Sequence, residues 1–176
     1  MNVGNEMYEL ARELFPLDRS LTGDGVRRTL AVLKRELPEM TVHEVPSGTE
    51  VFDWTVPKEW AVRQAYIEDE KGNRIIDYKD LNLHVMGYST PVDRWVDLEE
   101  LKKYIYVQKG QPDAVPYVTS YYVQRYGFCM SEKQKDALLP GRYHMVIDSE
   151  LFDGSLTYGE LMIPGKEEKE ILISTY

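Results

Sequence analysis

The chain has 176 residues, 43% of them hydrophobic and 29% charged, and a formal charge of −9. That length suits one good core, or two small lobes sharing one. The acid is spread along the chain, which argues against nucleic acid and anionic membranes as partners, since both need a concentrated basic surface.

No apolar run approaches the roughly 20 residues needed to span a bilayer, and the N-terminus shows no basic segment followed by an apolar one. Cys129 is the sole cysteine, so neither an internal disulfide nor a thiolate metal cluster is expected, and a reducing cytoplasm is the simplest setting. Beside Phe128 and Met130, Cys129 reads as a small buried hydrophobe.

Met7, Leu10, Ala11 and Leu14 recur at helical spacing, and Phe15-Pro16 closes that helix. Thr22 is the expected N-cap of a second helix, whose stripe is Val26, Leu30, Leu33 and Leu37 and whose end is Pro38. Between them, Arg19 to Gly25 holds two glycines and two hydroxyl residues. This segment is either a plain helix-helix turn or an anion cradle of backbone amides. Thr41 to Val45 alternates and predicts a strand, broken by Pro46-Ser47-Gly48-Thr49.

From Val51 the texture changes to dense aromatics and short alternating runs. Ala65 to Glu68 and Arg74 to Asp77 flank the hairpin signal Lys71-Gly72-Asn73. Leu83 to Tyr88 predicts a strand, Leu98 to Tyr104 a short helix, and Gln108 to Pro116 a loop. Ser131 is placed to cap a helix reaching Leu138. Arg142 to Ser149 and Ser155 to Ile163 read as strands, as does the apolar run Ile171 to Thr175.

The pattern predicts an α/β fold, α+β in composition. Residues 1–48 and 141–176 form a first unit, and residues 50–140 form a mostly β insert. Two helices and one strand cannot bury their own faces, so they need a sheet from elsewhere in the chain. The competing arrangement is one continuous β-rich domain with both helices on one face.

No pair among His43, His84 and His144 has close metal-ligand spacing, so structural or surface roles fit them better. Asp148, Glu150, Asp153 and Glu160 read as turn solvation, with cation binding or acid/base work as the alternative. No Gly-x-Ser-x-Gly elbow and no glycine-rich phosphate fingerprint is present. Trp54, Trp60, Tyr117, Tyr121, Tyr122 and Tyr126 are the candidate ligand-binding residues, able to line a sugar or peptide groove. The alternative is that they fill a thin β core.

Several runs together carry a resemblance. They are Leu14-Phe15-Pro16, Arg19 to Arg27, His43 to Thr49, Val51 to Trp60, Asn82-Leu83-His84-Val85, Tyr88 to Pro91, Pro116-Tyr117, Thr119 to Tyr122, Tyr126 to Cys129 and Asp153 to Glu160. Nearly the whole chain resembles a family of bacterial aminopeptidase-like proteins of unknown function that carry a polysaccharide-biosynthesis label. The resemblance implies a partial zinc-exopeptidase-like core with an inserted β domain. In relatives, the segment matching Ile171 to Thr175 leads into a His-, Cys- and Asn-Asp-rich region that opens the metal site. Here Tyr176 stands where a histidine is usual, and no family metal ligand maps onto this sequence. The resemblance therefore implies zinc for a full-length relative, and for this chain no cofactor and no independent peptidase activity. A non-enzymatic carbohydrate- or peptide-binding module is the alternative. The apolar final run further predicts that the chain either self-associates through that region or is marginally stable as a monomer.

Overall fold

The computed structural model describes residues 2–167 and 169–175. The first helix, α1 (Val3–Leu14), starts where Asn2 accepts a hydrogen bond from the Gly4 N–H at 3.0 Å. It ends at Phe15, as its spacing predicts, but none of its residues is buried. The second helix, α2 (Asp24–Glu36), is capped by Gly23 at a φ of 106° rather than by Thr22. Thr22 is buried, and its hydroxyl meets the Tyr88 hydroxyl at 2.6 Å. A buried tyrosine oxygen needs a partner, and that need overrides the local capping preference of threonine.

The strands β1 (Thr41–Pro46) and β10 (Ser155–Glu160) pair antiparallel as a two-stranded ribbon. Gly159 lets α2 lie close on it, because a Cβ there would fall against Met40 and Leu30. A minimal hairpin of β2 (Glu50–Val51) and β3 (Trp54–Thr55) follows β1.

The main sheet has four strands in the order β5-β4-β9-β6, all antiparallel. They are β4 (Glu59–Asp69), β5 (Arg74–Asp77), β6 (Val92–Asp97) and β9 (Arg142–Phe152). Alternation sets its faces. Ala65, Ile67, Tyr143, Met145 and Ile147 are buried on one side with Val85, Tyr88, Leu101, Phe128 and Met130. The outer side carries Tyr66, Glu68, Asp93, Trp95 and His144. Over the buried face lie α3 (Leu98–Leu101) and a short parallel pair, β7 (Ile105–Tyr106) with β8 (Phe128–Cys129). Then α4 (Glu132–Asp136) opens with the Ser131–Gln134 capping box.

Two further expectations change. Leu83 to Tyr88 is not a strand but a 3-10 turn at Asn82–His84 followed by isolated bridges. Its backbone groups pair singly, Met86 N–H with Gly127 and Gly87 N–H with Val118. The run Ile171 to Thr175 has no regular structure, and Ile171, Leu172 and Ile173 are 89%, 91% and 84% exposed. No described strand lies beside it to complete its hydrogen bonds. Within residues 141–176, β10 pairs with β1, and β9 sits at the centre of the main sheet between β4 and β6.

Candidate ligand-binding cleft

Two anchors fix residues 15–25 against the main sheet. Arg27 on α2 donates to both oxygens of Glu59 on β4, at 3.1 and 2.5 Å. Glu59 is 4% exposed and also accepts from the Ser155 N–H at 3.2 Å. The Arg27 hydrogen bonds hold its carboxyl below the ordinary range against the opposing effect of burial. In the second anchor the Tyr78 hydroxyl donates to Asp18 at 2.7 Å. Burial raises the Asp18 carboxyl, and the Tyr78 bond and the Arg19 charge only partly offset that. Gly25 is required here, since a Cβ would fall on the Asp18 carbonyl.

Behind the anchors lies a buried polar knot. Trp60 is 6% exposed, stacks on Tyr88 with centroids 6.0 Å apart, and donates its indole N–H to the Ser89 carbonyl at 3.0 Å. The Ser149 hydroxyl donates to the same carbonyl at 2.7 Å. Tyr88 adopts a φ of 64°, a left-handed conformation that the knot over-determines.

In front of the knot is a cleft of about 260 Å³. One wall is Phe15, Leu17, Asp18, Arg19 and Ser20, and the other is Leu81, Asn82, Leu83, Val85 and Gly87. Trp60 and Tyr117 complete it. The lining is largely apolar with a few polar groups at one end, the usual chemistry of a small-ligand site. Arg19 makes no carboxylate ion pair within 4 Å among the described residues and donates only to the Leu14 carbonyl, at 2.5 Å. The Ser20 hydroxyl oxygen is buried and interacts with the Tyr88 hydroxyl without a hydrogen bond of ideal geometry. A larger groove of about 530 Å³ runs between α1 and the end of α2. Most of its charged side chains already pair with one another, Glu13 and Glu36 with Arg35 and Glu9 with Arg12, so it offers less to a ligand.

The six aromatic candidates do not converge. Trp60 and Tyr117 share the cleft. Tyr121 packs edge-on against Tyr88 at 5.0 Å, behind the cleft. Tyr126 stacks on Tyr104 at 4.7 Å, and burial and the Tyr104 bond push its hydroxyl up to about 12. Tyr122 donates to the Thr55 carbonyl at 2.8 Å, beside the hairpin that carries Trp54. Phe15, Arg19, Ser20 and Leu83 belong to the site, yet as single residues they carry no signal. Arg19 and Ser20 fall in the segment read as either a turn or an anion cradle, and all four lie in the runs Leu14 to Arg27 and Asn82 to Val85.

The residues present do not fit a zinc ion. Among the described residues no group of three His, Cys, Asp or Glu could hold a metal. His84 is buried with Nδ1 at 2.8 Å from the Cys129 carbonyl, and burial pushes the Cys129 thiol up to about 12, so it is no ready thiolate. His43 stacks on Tyr158 at 5.0 Å, with Nε2 3.1 Å from Glu160. His144 lies between Glu68 at 3.0 Å and Asp93 at 2.7 Å, which meet its two different nitrogens rather than a common point. The turn acids disperse as well: Asp148 and Glu150 pair with Arg63, and Asp153 with Lys58.

The whole is a mixed α/β fold consistent with an aminopeptidase-like core. Residues 59–150 match the family model described as a domain of unknown function, DUF2172, and with just over half of the chain matched, the chain belongs to that family. It is 51% identical over 173 residues to a protein of Clostridium acetobutylicum named "Putative polysaccharide biosynthesis protein with aminopeptidase-like domain". That match covers 98% of this chain and 40% of the relative, so the chain spans about two fifths of the relative's length. A crystal structure of a "putative peptidase" from the same organism superposes with a TM-score of 0.85 at 50% identity, over 89% of this chain and 37% of that one. The resemblance carried by the sequence motifs is thereby borne out. Among the described residues no helix is long and apolar enough to cross a membrane.

Proposed function

We propose that this chain is the amino-terminal part of an aminopeptidase-like hydrolase linked to polysaccharide biosynthesis, and that it contributes ligand binding rather than bond cleavage. Its core is the zinc-exopeptidase type, and the inserted β domain, expected at residues 50–140, pairs with β9 (Arg142–Phe152) in the main sheet. The observation that carries the reading is the cleft, where residues 15–20 meet residues 81–87 over Trp60. Two anchors and a buried polar knot hold its walls, so a ligand meets a largely formed site. The name of the 51% identical relative supplies the wider context. Catalysis needs about three protein ligands around a zinc ion, and among the described residues no three His, Cys, Asp or Glu are grouped to hold one.

The purified chain, with and without added zinc, is expected to leave aminoacyl p-nitroanilides intact. It is expected to bind members of a peptide and glycan panel saturably, and to lose that binding in Phe15→Ala with the fold unchanged. Zinc-dependent hydrolysis by this chain alone would overturn the reading. The second reading, a binding module with no enzymatic context, shares the cleft. It is favoured if binding is unchanged when the polypeptide matching the rest of the relative is fused to the chain.

A further inference from the structure

Given the proposed reading of the cleft as a binding site, on which the choice of ligand rests, its own chemistry narrows the class of that ligand. Trp60 cannot serve as an open sugar platform. One face of its ring is stacked on Tyr88, its indole N–H is satisfied by Ser89, and it is 6% exposed. Aliphatic side chains, Leu17, Leu81, Leu83 and Val85, make up much of the remaining wall beside the aromatic Phe15 and Tyr117, which favours an apolar side chain over a ring bearing several hydroxyls. A cavity of about 260 Å³ is below the usual range for a drug-sized ligand, and it suits one side chain and its immediate neighbours.

The polar end favours a monoanion. Arg19 lines the cleft without a carboxylate ion pair among the described residues, and its guanidinium donates to the Leu14 carbonyl, which leaves further donors of that group for an anion. Asp18, the acid in the same wall, is taken up by the Tyr78 hydroxyl. The chain carries a net charge of −9, which disfavours a multiply charged anion such as a nucleotide.

We propose that the cleft binds the carboxy-terminal residue of a peptide, its apolar side chain between Phe15 and Leu83 and its carboxylate at Arg19. Recognition is by shape and charge, and no bond is made or broken.

Calorimetric titration of the whole chain with N-acetyl-leucine, N-acetyl-leucinamide and N-acetylglucosamine tests this. Wild type is expected to bind N-acetyl-leucine saturably and the amide about tenfold more weakly, the loss typical of removing a charged hydrogen-bond partner. Arg19→Gln should bring the two leucine ligands to the same weak affinity, and Phe15→Ala should weaken both. Both side chains are exposed, so the variants are expected to keep the wild-type unfolding midpoint. Equal affinity for acid and amide in wild type, or a preference that survives in Arg19→Gln, overturns the proposal. Binding of N-acetylglucosamine alone, lost in Phe15→Ala, overturns it too but leaves the cleft as a binding site. Binding of none of the three overturns the peptide assignment, and if the wider panel also fails, the ligand-binding reading falls with it.

Discussion

Glu59 is buried, and Arg27 is what keeps it ionised. Arg27→Ala should destabilise the chain by about 2 kcal/mol in urea unfolding, less than the ~3–5 kcal/mol of a fully buried pair because Arg27 is 35% exposed. The lowered carboxyl makes this contribution complete above the ordinary value of 4.5, and it is lost as pH falls through the depressed one. Glu59→Gln should therefore flatten the acid limb of the stability profile. His144 works with the opposite sign. Burial opposes its charge, but the bonds to Glu68 and Asp93 outweigh burial and raise its pKa above 6.5. Its contribution is full below that value and declines as pH rises through the raised one, so His144→Gln should cost more stability at pH 6 than at pH 9. Thr22→Val leaves the Tyr88 hydroxyl unpaired in a buried site and should cost about 1–3 kcal/mol. In a double-mutant cycle with Tyr88→Phe the two losses should be less than additive, since the second substitution removes the orphaned group.

Gly25 shows how an element can be shaped against its own propensity. It lies in the first turn of α2, where alanine would normally gain about 1 kcal/mol. A Cβ there meets the Asp18 carbonyl, a backbone atom that cannot swing away, and overpacking of that kind costs about 1–3 kcal/mol. Gly25→Ala should thus destabilise, and it should weaken ligand binding by displacing residues 15–20. Thermal melts and the titration read the two effects separately. The legibility of the elements depends on the same balance of local against distant forces. Both helices, the hairpin of β4 and β5, the capped α4 and the paired β1 and β10 are visible in the sequence because their periodicity or turn chemistry is local. β6 is hidden because Asp93, Arg94 and Asp97 break up a short apolar pattern. Leu83 to Tyr88 imitates a strand, but its alternation serves a loop whose His84 side chain reaches the Cys129 carbonyl. The cleft is legible only in separate pieces, Trp60, Tyr117 and the segment from Arg19, because residues 15–20, 60, 81–87 and 117 meet only through the tertiary fold.

Across the whole molecule the core is uneven. Apart from Leu30, Met40 and Val56, every buried hydrophobic among the described residues lies within residues 59–150. Val3, Met7, Tyr8, Met162, Ile163 and Ile171 to Ile173 all remain exposed outside that segment. Exposed apolar surface of this kind promotes association, and burying roughly 400 Å² of it would contribute on the order of 10 kcal/mol before the costs of association. Light scattering over a dilution series should show association that weakens when Ile171 and Ile173 are both changed to lysine. The central claim, that the chain binds a ligand in the cleft over Trp60, has a direct spectroscopic test. The Trp60 indole N–H and the Gly87 amide bracket the cleft, so both should shift saturably in two-dimensional NMR spectra titrated with N-acetyl-leucine, with a single dissociation constant that Phe15→Ala weakens. Shifts confined to Tyr122, Trp54 or the α1 surface, or none at all while the spectrum stays folded, would contradict it.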